Sequence, residues 1–204
     1  MSAGILSGLQ IVKEVEAGNI KISPFDKTRA NPASYDLTLG SEVAIYEDVT
    51  RLIGEGQYGP VHVAEDKVRN VLDAAKQNYV KRYEMKEDGF LLVPGIGYLM
   101  HTEERIRTEK FVPIVDGKSS IGRLFCFVHV TAGYGDPGFD GQYTLEVVVV
   151  HPLIVYPGMR FCQIRFHTLV GDVETYQNKG NYVGVDHASG PVPSRSWKMF
   201  DERK

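Results

Sequence analysis

No run in this 204-residue chain approaches the roughly 20 consecutive apolar residues that a membrane-spanning helix needs. The opening stretch "MSAGILSGLQ" lacks the charged start and long apolar middle of a secretory leader, so the expected address is the cytoplasm. Basic charge is also scarce. Lys and Arg number 23 against 26 Asp and Glu, for a net charge of −3. A general nucleic-acid binder would carry a basic excess, so any anionic ligand here must be held by a local cluster. Cysteine is limited to Cys126 and Cys162, which excludes a disulfide scaffold and a cysteine-rich zinc site. Both lie in apolar runs, "LFCFVHV" and "MRFCQIRF", which predicts buried, reduced thiols.

Several catalytic motifs are missing. "GKSS" at 117–120 invites a phosphate-loop reading, but that loop needs a glycine five positions before Gly117, and Val112 stands there. It also needs a following helix, whereas "RLFCFVHV" reads as strand. "HTE" at 101–103 matches half of the zinc deaminase signature without its Pro-Cys-x-x-Cys half, and reads instead as a surface segment at a strand end. No His-Glu-x-x-His or Gly-x-Ser-x-Gly string occurs. His129, inside "FVHVTA", reads as a core histidine satisfied by a neighbour.

What remains is a chain with the composition of a folded protein, 43% hydrophobic and 24% charged. Its length suits one large domain. Ser7 is placed to cap a helix over 8–17 with Leu9, Val12, Val15 and Glu16 on one face and Gly18 as its stop. "NIKISPFD" predicts a short strand ended by Pro24. "SYDLTLGSEVAIY" predicts a half-buried strand in which Tyr35, Leu37 and Leu39 alternate with polar neighbours. Residues 54–89 differ, with helical spacing at Val68, Val71, Leu72 and Ala75 and a charged face, which predicts a helical insertion. From Phe90 onward, apolar or alternating runs separated by Gly and Pro predict short strands of a sandwich or barrel. The tail from Gly171 reads as an ordered arm docked through Tyr176, Tyr182 and Trp197.

One constellation resists explanation as packing. "GKSSIGR" supplies Lys118, Ser119, Ser120 and Arg123, and "TAGYGDPGFDGQYTLE" supplies Asp136 and Glu146. Gly135-Asp136-Pro137-Gly138 is also a good turn. Glu146 is the sharper anomaly, because a carboxylate within "YTLEVVVV" is costly unless paired or functional.

At this point the chain resembles a known family. "NPASYDLTLG", "DGKSSIGRL", "HVTAGYGDPGFDGQYTLE", "YPGMRFCQI" and "GPVPSRSW" are similar to the dCTP deaminase branch of the trimeric dUTPase superfamily. The resemblance, which leaves out residues 54–89, implies a mainly β fold, a distorted barrel or jelly roll, to which the residue pattern adds the short N-terminal helix and the helical insertion. Together they predict one domain over 1–204, with the insertion at about 54–89 and a C-terminal arm at about 171–204. The resemblance also implies a homotrimer with active sites between subunits, and zinc-independent deamination of a deoxycytidine nucleotide. By resemblance Glu146 is the proton carrier, with Ser119 and Arg123 around the attacking water. Lys118 and Ser120 fall in a phosphate-binding stretch, Asp136 meets the deoxyribose 3′-hydroxyl, and Thr144 and Leu145 lie along the strand that reads the nucleotide. Gln163 and Tyr176 match further binding positions. Gly133 and Tyr134 fit the bifunctional members that carry dCTP through to dUMP. Mg²⁺ would arrive on the substrate's own phosphates, held mostly by water.

The tail departs from the family pattern. Asn181 stands at a lysine position, and Val183 and Val185 stand at glutamine positions, with Lys179 nearby as a substitute. These changes remove a charge-assisted donor and amide donors from the phosphate end. The alternatives they leave open are dCMP, dCDP or a modified nucleotide as substrate, a dUTPase without deaminase activity, and a non-catalytic nucleotide-binding regulator.

Overall fold

The structure is a computed structural model that describes residues 4–47, 53–56, 59–62, 72–182, 185 and 190–201. Strands dominate it, as the spacing of apolar residues predicts. The chain opens with helix α1 (Gly8–Glu16), where the Ser7 hydroxyl accepts the Gln10 N–H and Gly18 takes a left-handed turn at φ 74°. Its inward face is not the predicted one. Ile11 and Glu14 are buried while Leu9 is 79% exposed. Glu14 tolerates burial because Gln10, Asn19 and Lys110 all bond its carboxylate.

A long strand, β8 (Tyr98–Thr108), forms the spine of the larger sheet. Along one edge it pairs with β11 (Asp140–Val149). Along the other it pairs with β1 (Ile20–Ser23) through its second half and meets β3 (Glu42–Tyr46) at Leu99. β10 (Cys126–Phe127) extends the sheet beyond β11, and β6 (Val80–Glu84) extends it beyond β3. A second sheet runs β2 (Tyr35–Thr38), β13 (Arg160–Thr168), β9 (Phe111–Gly117). β7 (Phe90–Leu92) pairs with β12 (Leu153–Val155), and β4 (Ile53–Gly56) with β5 (Gly59–His62). These are open sheets of jelly-roll kind rather than one closed barrel. After β11 the chain does not return as a hairpin, because β12 crosses to β7.

Between the sheets lies a core containing Tyr35, Leu37, Tyr98, Phe111, Phe161 and Phe166, each without solvent exposure. Burial of each such side chain is worth about 1.5–3 kcal/mol. Cys126 and Cys162 are buried free thiols, as predicted, and burial pushes the Cys126 thiol up to about 11.

Three sequence expectations need correction. β2 is buried on both faces, so Asp36 and Thr38 are inside with Tyr35 and Leu37. The "HTEE" segment is no surface strand end: His101, Thr102 and Glu104 are buried and only Glu103 reaches solvent. The helical insertion is not observed among the described residues of 54–89, where Val80–Glu84 is a strand on β3. Val68 and Val71 of the predicted helix lie outside the described residues. The apolar spacing at Leu72 and Ala75 falls in turn and loop, and pairing with an existing sheet edge outweighs helical spacing downstream.

Glu104 explains how β8 carries charge through the core. Arg29 pairs with its carboxylate, the Thr38 N–H donates to it at 3.0 Å, and the Thr38 hydroxyl donates at 2.7 Å. Burial still holds its pKa above the ordinary carboxylate value. Removing the carboxylate strands Arg29 and Thr38 together. Glu104→Ala is expected to destabilise the fold by about 3 kcal/mol, read as a lowered urea midpoint.

Candidate active site

β11 decides the site by alternation. Leu145, Val147 and Val149 point into the core, so Thr144 and Glu146 must face the other way. The β8–β11 register shifts between Gln142 and Thr144, and there the Thr102 hydroxyl accepts the Tyr143 N–H at 2.9 Å. This bulge turns Tyr143 toward the same side as its even-numbered neighbours. Gln142, Tyr143, Thr144 and Glu146 thus line one cavity of about 580 Å³. That volume lies in the range of small-molecule sites.

Opposite β11, the segment 133–138 is held against β9. Val115 N–H donates to Gly133 O at 2.7 Å, and Gly135 N–H donates to Pro113 O at 2.8 Å. Gly133 sits where a Cβ would collide with the Val115 carbonyl and press on the His129 ring; at Gly135 it would collide with the Tyr143 hydroxyl. Glycine is required at both by close approach. The turn forms one residue later than predicted, over 136–139, with Phe139 N–H bonded to Asp136 O at 3.2 Å and Gly138 at φ 90° in its third position. It presents Asp136 to the cavity.

The tail closes the third side. Tyr176 N–H donates to Pro137 O at 2.8 Å, and Tyr176 stacks edge-on against Phe139 with centroids 5.5 Å apart. Farther on, Val192 N–H donates to the Thr144 hydroxyl at 2.9 Å and Ser194 N–H to the Tyr46 hydroxyl at 3.0 Å. Arg82 of β6 reaches Pro191 O at 2.9 Å. The tail is therefore docked, as its aromatic content predicts, and part of its dock is the strand that replaces the predicted helix.

Electrostatics single out Glu146. Burial raises its carboxyl above the ordinary value; its own N–H, the charge of His129 and the Val130 N–H act in the opposite direction without cancelling that rise. Its Oε2 is buried without a hydrogen-bond partner, as are Gln142 Oε1 and the Tyr143 hydroxyl. Three of the seven such atoms among the described residues line this one cavity, a concentration that packing alone would not keep. Burial also pushes the Tyr143 hydroxyl well up. His129 was expected to be a satisfied core histidine. Instead it is half-buried, its Nδ1 has no partner, and it acts electrostatically on Glu146. The signal was its place in "HVTAG", a few residues before the glycines that frame the site.

The predicted residues divide into groups. Glu146, Asp136, Thr144 and Tyr176 come together at the cavity, joined by Asn181. Leu145 is buried on the core side of the strand. Ser119 and Ser120 sit on α2 (Ser119–Gly122), with Arg123 as its C-cap; all three are exposed and outside the cavity lining. A helical turn thus follows Lys118, and of the strand expected over 123–130 only Cys126–Phe127 is strand. The Lys118 ammonium is bound by both Asp36 oxygens, at 2.9 and 2.8 Å. Gln163 bridges the Ser34 hydroxyl and Gly117 O, both at 2.9 Å. Both residues brace the β2–β13–β9 sheet below the "KSS" turn. The side chain of Lys179 and all of Val183 lie outside the described residues; Val185 donates its N–H to Tyr182 O at 3.2 Å.

Comparisons with known proteins bear on this geometry. The family model described as dCTP deaminase-like matches residues 5–169. The chain is 40% identical over 197 residues to the "dCTP deaminase, dUMP-forming" of Hathewaya histolytica, covering 97% of this chain and 99% of that one. It is 41% identical over 198 residues to the protein of the same name from Cytophaga hutchinsonii, again covering 97% and 99%. A crystal structure of 2′-deoxycytidine 5′-triphosphate deaminase from Agrobacterium tumefaciens superposes with TM-score 0.58 at 24% identity. That match covers 85% of this chain and 51% of the other, and it supports the fold.

The position of His129 makes a pH prediction. With the His129 charge removed, burial of Glu146 is less opposed and its pKa rises further. A group that must be ionised to accept a proton then becomes competent only at higher pH. The acid limb of any Glu146-dependent reaction is expected to move to higher pH in His129→Asn, with the limb still present. A pH–rate profile identical to that of the unsubstituted protein would exclude the coupling.

Proposed function

The chain belongs to the dCTP deaminase-like family, and on that premise we propose that it hydrolytically deaminates dCTP and carries the product on to dUMP. The observation that carries this reading is Glu146, a half-buried carboxylate of raised pKa facing a nucleotide-sized cavity with Asp136 on its rim. Cytosine deamination adds water at C4, places a proton on N3 and expels the 4-amino group as ammonia. Ionised Glu146 takes one proton from water as the water oxygen bonds to C4 and passes it to N3; it then takes the second proton, from the new C4 hydroxyl, and delivers it to the amine as the C4–N bond breaks and the C4 carbonyl forms. A raised pKa suits a group that must both accept and release a proton near neutrality. The overall first step is dCTP + H2O → dUTP + NH3, and the second is dUTP + H2O → dUMP + diphosphate. Asp136 meets the deoxyribose 3′-hydroxyl, Thr144 lies beside the base, and Tyr176 walls the sugar. Mg²⁺ enters as part of the substrate, on the phosphates.

In this reading the active form is a homotrimer of single-domain subunits, acting in the cytoplasm. Ser119, Ser120 and Arg123 complete a neighbouring subunit's cavity rather than their own. Two features support it. All three are exposed away from the cavity of their own chain. Beside them lie exposed Leu124, Phe125, Phe127, Val130 and Val150, an apolar group of the kind that marks a subunit interface. Lys118, bound to Asp36, and Gln163, bound to Gly117, hold the turn that presents them.

Two measurements test the proposal. Incubated with dCMP, dCDP, dCTP or dUTP and Mg²⁺, the protein is expected to convert dCTP to dUMP; unconsumed dCTP at micromolar protein would overturn the assignment. Glu146→Gln is expected to lower turnover by about 100- to 10,000-fold while dCTP still binds, and unchanged turnover would remove Glu146 as the proton carrier.

A further inference from the structure

The cavity has an electrostatic imbalance. Within one subunit its lining includes two carboxylates, Asp136 and Glu146, and no lysine or arginine among the described residues; the Arg123 that a neighbouring subunit brings in the reading above is placed at the attacking water and Glu146 and not at the phosphates. Asn181, on the tail side, is neutral. A polyphosphate cannot settle against two carboxylates without a cation close by. Lys118 is engaged by Asp36 and lies outside the lining. Arg105 and Arg107 are engaged by Asp140 and Glu109.

Arg195 is different. Its Nη1 is buried and has no hydrogen-bond acceptor. It lies close enough to Tyr176 for its charge to act on that hydroxyl, which also feels Asp136 from across the cavity. The Arg195 N–H donates to the Tyr182 hydroxyl at 3.4 Å, and both tyrosines line the cavity. Its backbone is pinned on either side, by Ser194 N–H to the Tyr46 hydroxyl at 3.0 Å and by the Ser196 hydroxyl to Ala74 O at 2.8 Å. A buried guanidinium nitrogen without an acceptor is costly, and a fold that keeps one on an anchored backbone beside a cavity holds it ready for an anionic ligand.

We propose that the Arg195 guanidinium binds the phosphate chain of the nucleotide, acting from the chain's own tail. The inference rests on the nucleotide reading given above, and it identifies which cation receives the phosphates in a chain whose tail has Asn181 and Val185 where its resemblance implies a lysine and a glutamine. A guanidinium suits the task because its planar fork can donate two parallel bonds to a phosphate. The anchor at Ala74 also gives the segment before β6 a purpose, as the far support of the residue that reads the phosphates.

The test compares the unsubstituted protein with Arg195→Gln and Arg195→Lys. Steady-state kinetics with dCTP are combined with calorimetric binding of dCTP and of inorganic tripolyphosphate. Loss of one charged contact is expected to raise KM for dCTP and Kd for tripolyphosphate by about 10- to 100-fold in Arg195→Gln, with the effect on KM rather than kcat. Arg195→Lys is expected to recover part of the loss, since it keeps charge without the fork. Unchanged tripolyphosphate affinity in Arg195→Gln would overturn the proposal. So would a KM increase that tracks a change in oligomeric size by light scattering, which would make Arg195 an interface residue. If Arg195→Gln does not fold, Arg195→Lys decides, and affinity equal to the unsubstituted protein for tripolyphosphate together with unchanged KM counts against the fork. Absence of turnover in the unsubstituted protein would defeat the deaminase reading alone, because calorimetry still measures whether Arg195 holds phosphate.

Discussion

Which way β11 faces is the constraint from which the site follows. Leu145, Val147 and Val149 must be buried, and a strand has a side-chain period of two, so Thr144 and Glu146 are turned outward together. A slip of one residue would drive Glu146 into the core and Leu145 into the cavity. The pairing with β8 prevents it, from Asp140 opposite Arg107 to Val147 opposite Tyr98. The one irregularity, at Gln142–Thr144, adds Tyr143 to the cavity wall without disturbing the alternation beyond it. Glu146 is therefore a carboxylate that core packing orients and partial burial tunes.

The cavity is assembled from distant parts of the chain. β11 supplies its floor, the loop held against β9 supplies the Asp136 turn, and the tail supplies Tyr176, Tyr182 and Ser194. The tail is fixed by Thr144, Tyr46 and Arg82, which belong to three strands of one sheet. That sheet edge is built by β6, within the segment whose composition suggested a solvated helix. What looked like an insertion beside the fold is, in its described second half, part of the surface on which the tail closes.

Much of this was legible in sequence where the signal is local. The Ser7 cap, the stop at Gly18, a Pro137-Gly138 turn (one residue later than predicted) and most strand positions follow from residue types that act on their own neighbourhood. Glu146 stood out because a carboxylate in an apolar strand has few innocent explanations. Other readings failed for a common reason. Leu9 lost to Ile11 and Glu14 because only packing tells which helix face is covered. The "TEE" segment was taken for surface because the partners that make Glu104 affordable, Arg29 and Thr38, are remote in sequence. His129 was taken for core because its relation to Glu146 crosses from β10's loop to β11.

By itself, the sequence determined the β class, the family and the chemistry-bearing residue types, because period, turn residues and motif spacing are properties of short segments. Only tertiary structure decided which of those residues meet. It brought Glu146, Asp136, Thr144 and Tyr176 to one cavity, and it assigned Lys118 to Asp36 and Gln163 to Ser34 and Gly117. It also left one nitrogen of Arg195 buried without an acceptor beside that cavity. The physical reason is that burial and partnership depend on contacts between segments far apart in the chain, and these set both the pKa of a carboxylate and the availability of a cation.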